Sequence, residues 1–415
     1  MIRFLVVLLA LASAASVSAQ EVVLRHDLSG KALEALSSLV LRFNDQQKKG
    51  RIKVRLESLA GVEDRRQLPH MALLDDDDAH EFFDTLPRFV SLATVMKSGG
   101  QKFDSRRFLP QIADAVDDLR GRPQALPLAL ALPVLFYNKD AFVKAGLDPQ
   151  APPKTWWEVQ QAAGKLFDAG QACPLTSSHF AWVHLENVSS QHSQPVMVRA
   201  GTNNRFAFDS LVHVKHIALL SSWYKSRYFH YFGPGREGDQ KFVNGECAML
   251  TGESGLLADL VDQPKFAFGV AELPYYEDVF GSRPGSVLPD GEALRILPGK
   301  KKDEFKAVAS FVAFLLKPEI QQEWVRSTGF LPMTPEGLEA LKSAGVDASI
   351  IETARKRLSM PKLANARPHI GFGRGRLRQI LNEEIDFVWR NLKPAKEALD
   401  TAMRRAGEEQ LPREE

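Results

Sequence analysis

Residues 21–56 read EVVLRHDLSGKALEALSSLVLRFNDQQKKGRIKVRL, and this stretch decides the fold class. Val22, Val23 and Leu24 form the short apolar run of a buried strand. Ser29-Gly30 then opens a segment in which Leu33, Leu36, Leu39, Val40 and Phe43 recur every three or four residues. That period predicts an amphipathic helix closing at Phe43-Asn44-Asp45. Ile52, Val54 and Leu56 alternate with polar residues, as a half-buried strand does. Strand, helix and strand in this order are the β-α-β unit of a parallel sheet flanked by helices, so the fold class is α/β.

Downstream, Met71-Ala-Leu-Leu74 runs into Asp75-Asp76-Asp77-Asp78. Four adjacent carboxylates repel and read as a solvated loop, since the spacing of a calcium loop is absent. Acids just past an apolar strand are nevertheless where the cleft of an α/β sheet lies. The run Pro127–Tyr137 is apolar and broken by Pro133; Thr155 with Glu158 forms a capping box for a helix from Trp156. Helical and short strand patterns alternate from there to Pro289, as in a second α/β domain. The turn-rich segment 285–291 is a place for the chain to cross between domains. Asp303–Leu316 is a helix, Pro318 breaks it before another that runs to Trp324, and residues 377–411 are helical.

The length of 415 residues exceeds one typical core, which fits two lobes. Lys and Arg number 53 against 51 Asp and Glu, a balance unlike that of a nucleic-acid binder, so no nucleic-acid partner is expected. Residues 1–20, MIRFLVVLLALASAASVSAQ, combine Arg3, a short apolar run and small residues ending at Ala19. They predict an export signal over residues 1–19, a periplasmic mature chain and, without a following cysteine, no lipid anchor. Cys173 and Cys247 then lie in an oxidising compartment, as a bridge or as two buried thiols.

Catalytic motifs are missing. There is no His-Glu-x-x-His and no Walker loop, and Gly252-Glu-Ser-Gly255 is one residue short of a nucleophile elbow. Ten histidines are scattered without ligand spacing, so core or surface roles are expected and no enzyme, metal or cofactor is predicted. Two α/β lobes with an export signal describe a receptor that closes around a ligand.

Local strings go further. Leu132-Pro-Val-Leu-Phe-Tyr-Asn-Lys-Asp-Ala-Phe142, Lys144-Ala-Gly-Leu-Asp-Pro149 and Pro152-Pro-Lys-Thr-Trp156 resemble the solute-binding proteins of bacterial ABC importers. Leu185-Glu-Asn187, Phe242-x-Asn-Gly-x-Cys-Ala-Met249 and Ser327-Thr-Gly-Phe-Leu-Pro332 are similar to the branch that binds sn-glycerol-3-phosphate. The resemblance covers nearly the whole mature chain. It implies a two-lobe periplasmic binding protein of type II with three crossings, near Leu126–Ala131, Ser286–Pro289 and Leu331–Thr334. Lobe one would be residues 20–130 with 288–332, and lobe two residues 131–287 with 333–415. The implied partners are a small solute and the importer's permease subunits, with the receptor a monomer.

By position, the resemblance carries ligand roles to Ser254, Gly291 and Arg378 for the phosphate, and to Asp76 or Asp77 for the glycerol end. Departures are as informative. Phe330 stands where the family has a phosphate-binding tyrosine, Arg295 where it has tryptophan, and Ala129-Leu-Ala-Leu132 where a serine is expected. Two lost contacts to a charged phosphate, each about 1.5–3 kcal/mol, would weaken affinity by a factor on the order of 10² to 10⁴. Either Arg295, Arg374 or Arg376 compensates, or the ligand differs. Glu253, Asp290 and Glu292 would repel a dianion if they face the cleft, which favours a glycerophosphodiester with one negative charge and a cation. Trp182 and the acidic run would receive that cation. The alternative functions are a receptor fold with an eroded pocket that serves in signalling, and an extracytoplasmic enzyme.

Overall fold

The computed structural model describes residues 20–47, 52–59, 68–75, 89–116, 123–200, 203–262, 265–278, 285–338 and 374–410, together with 352, 356 and 358. The expected export signal and the sites at Asp76 and Asp77 lie outside the described residues.

The opening stretch folds as its periodicity predicts. Strand β1 (Gln20–His26) pairs in parallel with β2 (Ile52–Ser58), and the helix Gly30–Gln46 between them buries Leu36, Leu39, Val40 and Phe43. Asn44 near the helix end closes the unit by donating to the Val54 carbonyl and accepting from its N–H, at 2.9 and 2.8 Å. Strands β3 (Met71–Leu74) and β4 (Ala125–Ala131) complete the sheet with β12 (Asp290–Ile296), in the order β2-β1-β3-β12-β4. In this sheet β12 runs antiparallel to both its neighbours, β3 and β4, and the pairs β1-β2 and β1-β3 are parallel.

The apolar run 125–138 is two strands in two sheets. Pro133 has no N–H, and at Leu132 the chain leaves the first sheet to begin β5 (Pro133–Asn138) in a second one. That sheet is ordered β11-β5-β10-β6-β9, with β6 (Cys173–Ser177), β9 (Phe229–His230), β10 (Cys247–Glu253) and β11 (Phe268–Glu272). A separate hairpin joins β7 (Met197–Ala200) to β8 (Asn203–Phe206). Side chains of β5 alternate between two cores. Val134 and Phe136 join the cluster that continues into the first sheet, whereas Leu135 and Tyr137 face a second cluster built on Trp156, Trp223 and the C-terminal helices.

Cys173 and Cys247 are register partners on the parallel pair β6 and β10 and form a disulfide. Their Cα atoms are 4.5 Å apart, which resolves the alternatives left by the sequence in favour of the bridge. The capping box is present, with Thr155 N–H donating to Glu158 at 3.0 Å and Glu158 N–H to the Thr155 hydroxyl at 3.2 Å. The tail differs from the single helical stretch expected. It is a hairpin of Arg374–Trp389 and Ala395–Gln410, because Asn391 turns left-handed (φ 57°) and Pro394 cannot continue the first helix. Among the described residues no helix is long and apolar enough to cross a membrane.

Candidate functional site

The carboxyl ends of β1, β3 and β4 lie along one edge of the first sheet, beside the start of antiparallel β12 at Asp290. The second sheet ends likewise at Ser177, His230 and Glu253. Ligands of α/β folds bind at such edges. Charge links the two edges: Arg378 of the C-terminal hairpin pairs with Asp290 of the first sheet, and the pKa of Arg236 beyond β9 is raised by the Glu253 charge foremost, with smaller effects from Asp239, Glu292 and Asp75.

The crossings between the sheets are tied by main-chain and side-chain bonds. Leu132 N–H donates to the Ser254 hydroxyl at 3.0 Å, and Ser254 N–H returns a bond to the Leu132 carbonyl at 2.8 Å. Leu331 N–H donates to the Leu130 carbonyl at 2.7 Å. Trp182, on a single π-turn Trp182–Glu186, donates its indole N–H to the Leu288 carbonyl at 2.9 Å, and Asn187 accepts from Leu288 N–H at 2.8 Å. Short π segments interrupt ordinary helices where a side chain must be re-aimed; here the turn delivers Trp182, Glu186 and Asn187 to one crossing.

The residues singled out by sequence therefore have defined surroundings. Ser254 is buried at a crossing. Gly291 holds φ 129°, and a Cβ there would come within 2.3 Å of the Ala129 carbonyl oxygen, on the neighbouring strand. Only glycine meets both demands. Gly291→Ala is expected to lower the free energy of unfolding by about 1–3 kcal/mol in urea titration; an unchanged midpoint would show that the strand relaxes at no cost. Phe330, expected by resemblance at a tyrosine position, is buried and stacks on Trp324, ring centroids 6.0 Å apart, a packing contact. Trp182 is 3% exposed and meets His179 edge to face at 6.2 Å. Its burial under the crossing limits the ring face it can offer a cation.

Arg378 is buried in a triad. Its guanidinium grips Glu186 with two hydrogen bonds, 2.5 and 3.1 Å, and also pairs with Asp290. Of the compensating arginines considered, Arg295 is 3% exposed with its guanidinium 5.2 Å over the Phe89 ring, and Arg376 bonds Gln379 at 2.8 Å on its own helix. The side chain of Arg374 lies outside the described ones.

Sequence reasoning missed a polar group at the second edge. Arg236 pairs with Glu253 at 2.8 Å; Ser178 donates to buried Asp239; His179, left-handed at φ 49°, stands 4.0 Å from Glu253. Burial foremost, with the Glu253 charge, raises the Asp239 carboxyl to about 6. Glu253 foremost raises Arg236 further. The signal available in sequence was the loop Gly233-Pro-Gly-Arg236, whose glycines let a charged residue turn back over a strand end. No group of three or more potential metal ligands converges among the described residues.

The sequence profile described as bacterial extracellular solute-binding protein matches residues 67–348. The sn-glycerol-3-phosphate-binding periplasmic protein of Yersinia enterocolitica is 38% identical over 319 residues, 75% of this chain and 72% of its own. Its counterpart from Yersinia pseudotuberculosis is 33% identical over 410 residues, 95% and 93% of the two chains. Two solved structures share the fold. UgpB from Mycobacterium tuberculosis, in complex with glycerophosphocholine, has a TM-score of 0.72 and 18% identity, covering 94% of this chain and 98% of that one. The cyclic alpha-maltosyl-1,6-maltose binding protein from Arthrobacter globiformis has 0.72 and 19%, with coverage of 94% and 99%. At such identities these two speak to the fold alone. Profile, relatives and the paired sheets joined at crossings agree: the chain belongs to the bacterial extracellular solute-binding proteins and is a periplasmic receptor of two-lobe α/β architecture.

Proposed function

We propose that this protein is the receptor of an ABC importer that closes on a glycerophosphodiester and delivers it to the membrane permease. The moving parts would be residues 20–130 with 288–332 and residues 131–287 with 333–415. The family takes small solutes, and its members are binding proteins rather than enzymes. The relatives named for sn-glycerol-3-phosphate support the glycerol-phosphate class.

One observation carries the choice of diester over monoester. Arg378, the arginine at the family's phosphate position, is engaged by two carboxylates, Glu186 and Asp290, so the triad is formally −1. A dianionic phosphate entering there meets repulsion that a singly charged phosphodiester with a cationic head group meets far less. In a thermal-shift screen of ligand-stripped protein, glycerophosphocholine at about 1,000 times its dissociation constant should stabilise the fold by roughly 4 kcal/mol. Glycerol-3-phosphate at equal concentration should do much less. A larger shift with glycerol-3-phosphate would refute the diester reading. A flat response to both, and to maltose-type sugars, would favour a receptor that no longer carries such solutes, a reading that buried Phe330 at the tyrosine position supports.

A further inference from the structure

The phosphate of the proposed ligand needs a cation, and the residues marked by family position supply only Arg378, which two carboxylates already engage. The second edge of the cleft holds another arginine that no family position marked.

Arg236 is delivered by a loop with little freedom. His179 N–H donates to the Gly235 carbonyl at 2.7 Å, and Phe180 N–H to the Pro234 carbonyl at 3.0 Å. Two residues further on, Gly238 approaches the Ser177 carbonyl so closely that a Cβ would lie 2.4 Å from its oxygen. These contacts hold the start of the helix Glu237–Val243 against the end of β6 and aim Arg236 along the edge of the sheet. There it pairs with Glu253, which is buried at 7% side-chain exposure, while the Arg236 side chain keeps 54%. Arg378 by comparison keeps 7%.

We propose that Arg236 is a specificity-determining residue of this receptor, the guanidinium that takes the single negative charge of a phosphodiester at the mouth of the cleft. The inference rests on the receptor reading above and names the residue that replaces the family's lost tyrosine and serine contacts. The chemistry fits one charge in particular. A guanidinium presents five donors in a planar fork, enough to hold one carboxylate and one phosphodiester at once. Arg236 with Glu253 is formally neutral, and Asp239, Glu292 and Asp75 also act on the guanidinium, so each negative charge of the ligand adds repulsion and a monoanion is tolerated better than a dianion. Asp75 and Glu292 act on the same guanidinium from the first sheet, and such acids offer a partner to a cationic head group.

The test is calorimetric titration of the mature protein with glycerophosphocholine, for wild type, Arg236→Gln and Glu253→Gln, with urea midpoints taken in parallel. An electrostatic role moves the two variants in opposite directions. Arg236→Gln should weaken binding 10- to 100-fold, and Glu253→Gln should leave it equal or tighter by releasing the guanidinium. A merely structural ion pair would weaken both alike, and that outcome overturns the inference, as does an Arg236→Gln protein within twofold of wild type. Wild-type protein that binds no glycerophosphodiester overturns the receptor reading itself, and this inference with it.

Discussion

Lowering the pH from 7 to 5 is expected to remove most of the stability of this protein, through histidines rather than carboxylates. Four histidines are buried in the core of the second sheet: His184, His192, His213 and His216. His184 and His216 share a 2.9 Å hydrogen bond; Ser177 and Thr251 lie beyond His184 at 2.9 and 3.1 Å, and Tyr276 beyond His216 at 2.8 Å. His213 sits between the hydroxyls of Ser189 and Ser210, at 2.6 and 2.8 Å. Burial holds His184 and His213 down to about 3 and His192 to about 4, and it holds His216 well below its ordinary value. His184, His192 and His213 are neutral when folded at pH 5, whereas in the unfolded chain a histidine titrates near 6.5.

The sign follows from that order. A depressed folded value means stability that is complete above pH 6.5 and lost progressively as the pH falls toward the folded values. His184, His192 and His213 each lose about 2 kcal/mol between pH 7 and 5, so these three together lose about 6 kcal/mol, and His216 acts in the same direction. Asp239 works the other way. Raised to about 6, it contributes most in acid and returns about 1 kcal/mol at pH 5. The remainder is comparable to the whole stability of a typical domain, about 5–15 kcal/mol. Urea midpoints at pH 7 and 5 check this directly, and a flat profile would show that the histidines do not stay neutral in the fold.

The second large effect concerns Arg378. Replacing it with methionine should lower the free energy of unfolding by roughly 3–5 kcal/mol, because Glu186 and Asp290 would stay behind without the guanidinium that bridges them. Removing one of those charges as well, in Arg378→Met with Glu186→Gln, should restore at least about 1 kcal/mol. Chemical denaturation of the two variants separates a buried charge network from mere packing. If the single variant lies within 1 kcal/mol of wild type, or the second change adds further loss, the triad does not stabilise the fold.

Much of the architecture was legible because it follows from short-range periodicity. The spacing of Leu36, Leu39, Val40 and Phe43 predicted the face its helix buries. Thr155 and Glu158 announced the start of a helix from three residues apart. Pro133 marked the place where one apolar run becomes two strands of different sheets. The tail hairpin was less legible, since apolar residues on both sides of Asn391 follow a helical pattern and the left-handed turn between them is a single residue.

Polar partnerships had no such signal. Arg378 was marked by family position, but its partners lie 192 and 88 residues away in the chain, at Glu186 and Asp290. Arg236 meets Glu253 from a loop that pattern reading passed over, and His184 and His216 turn out to be neighbours across 32 residues. The sequence by itself determined the α/β class, the strand-helix order and the family, because those are written in local spacing and in contiguous strings. Only the tertiary structure decided which charges meet, whether the two cysteines join and which histidines are denied water. Such contacts depend on how distant segments converge, and a buried charge or imidazole takes its properties from whatever arrives beside it.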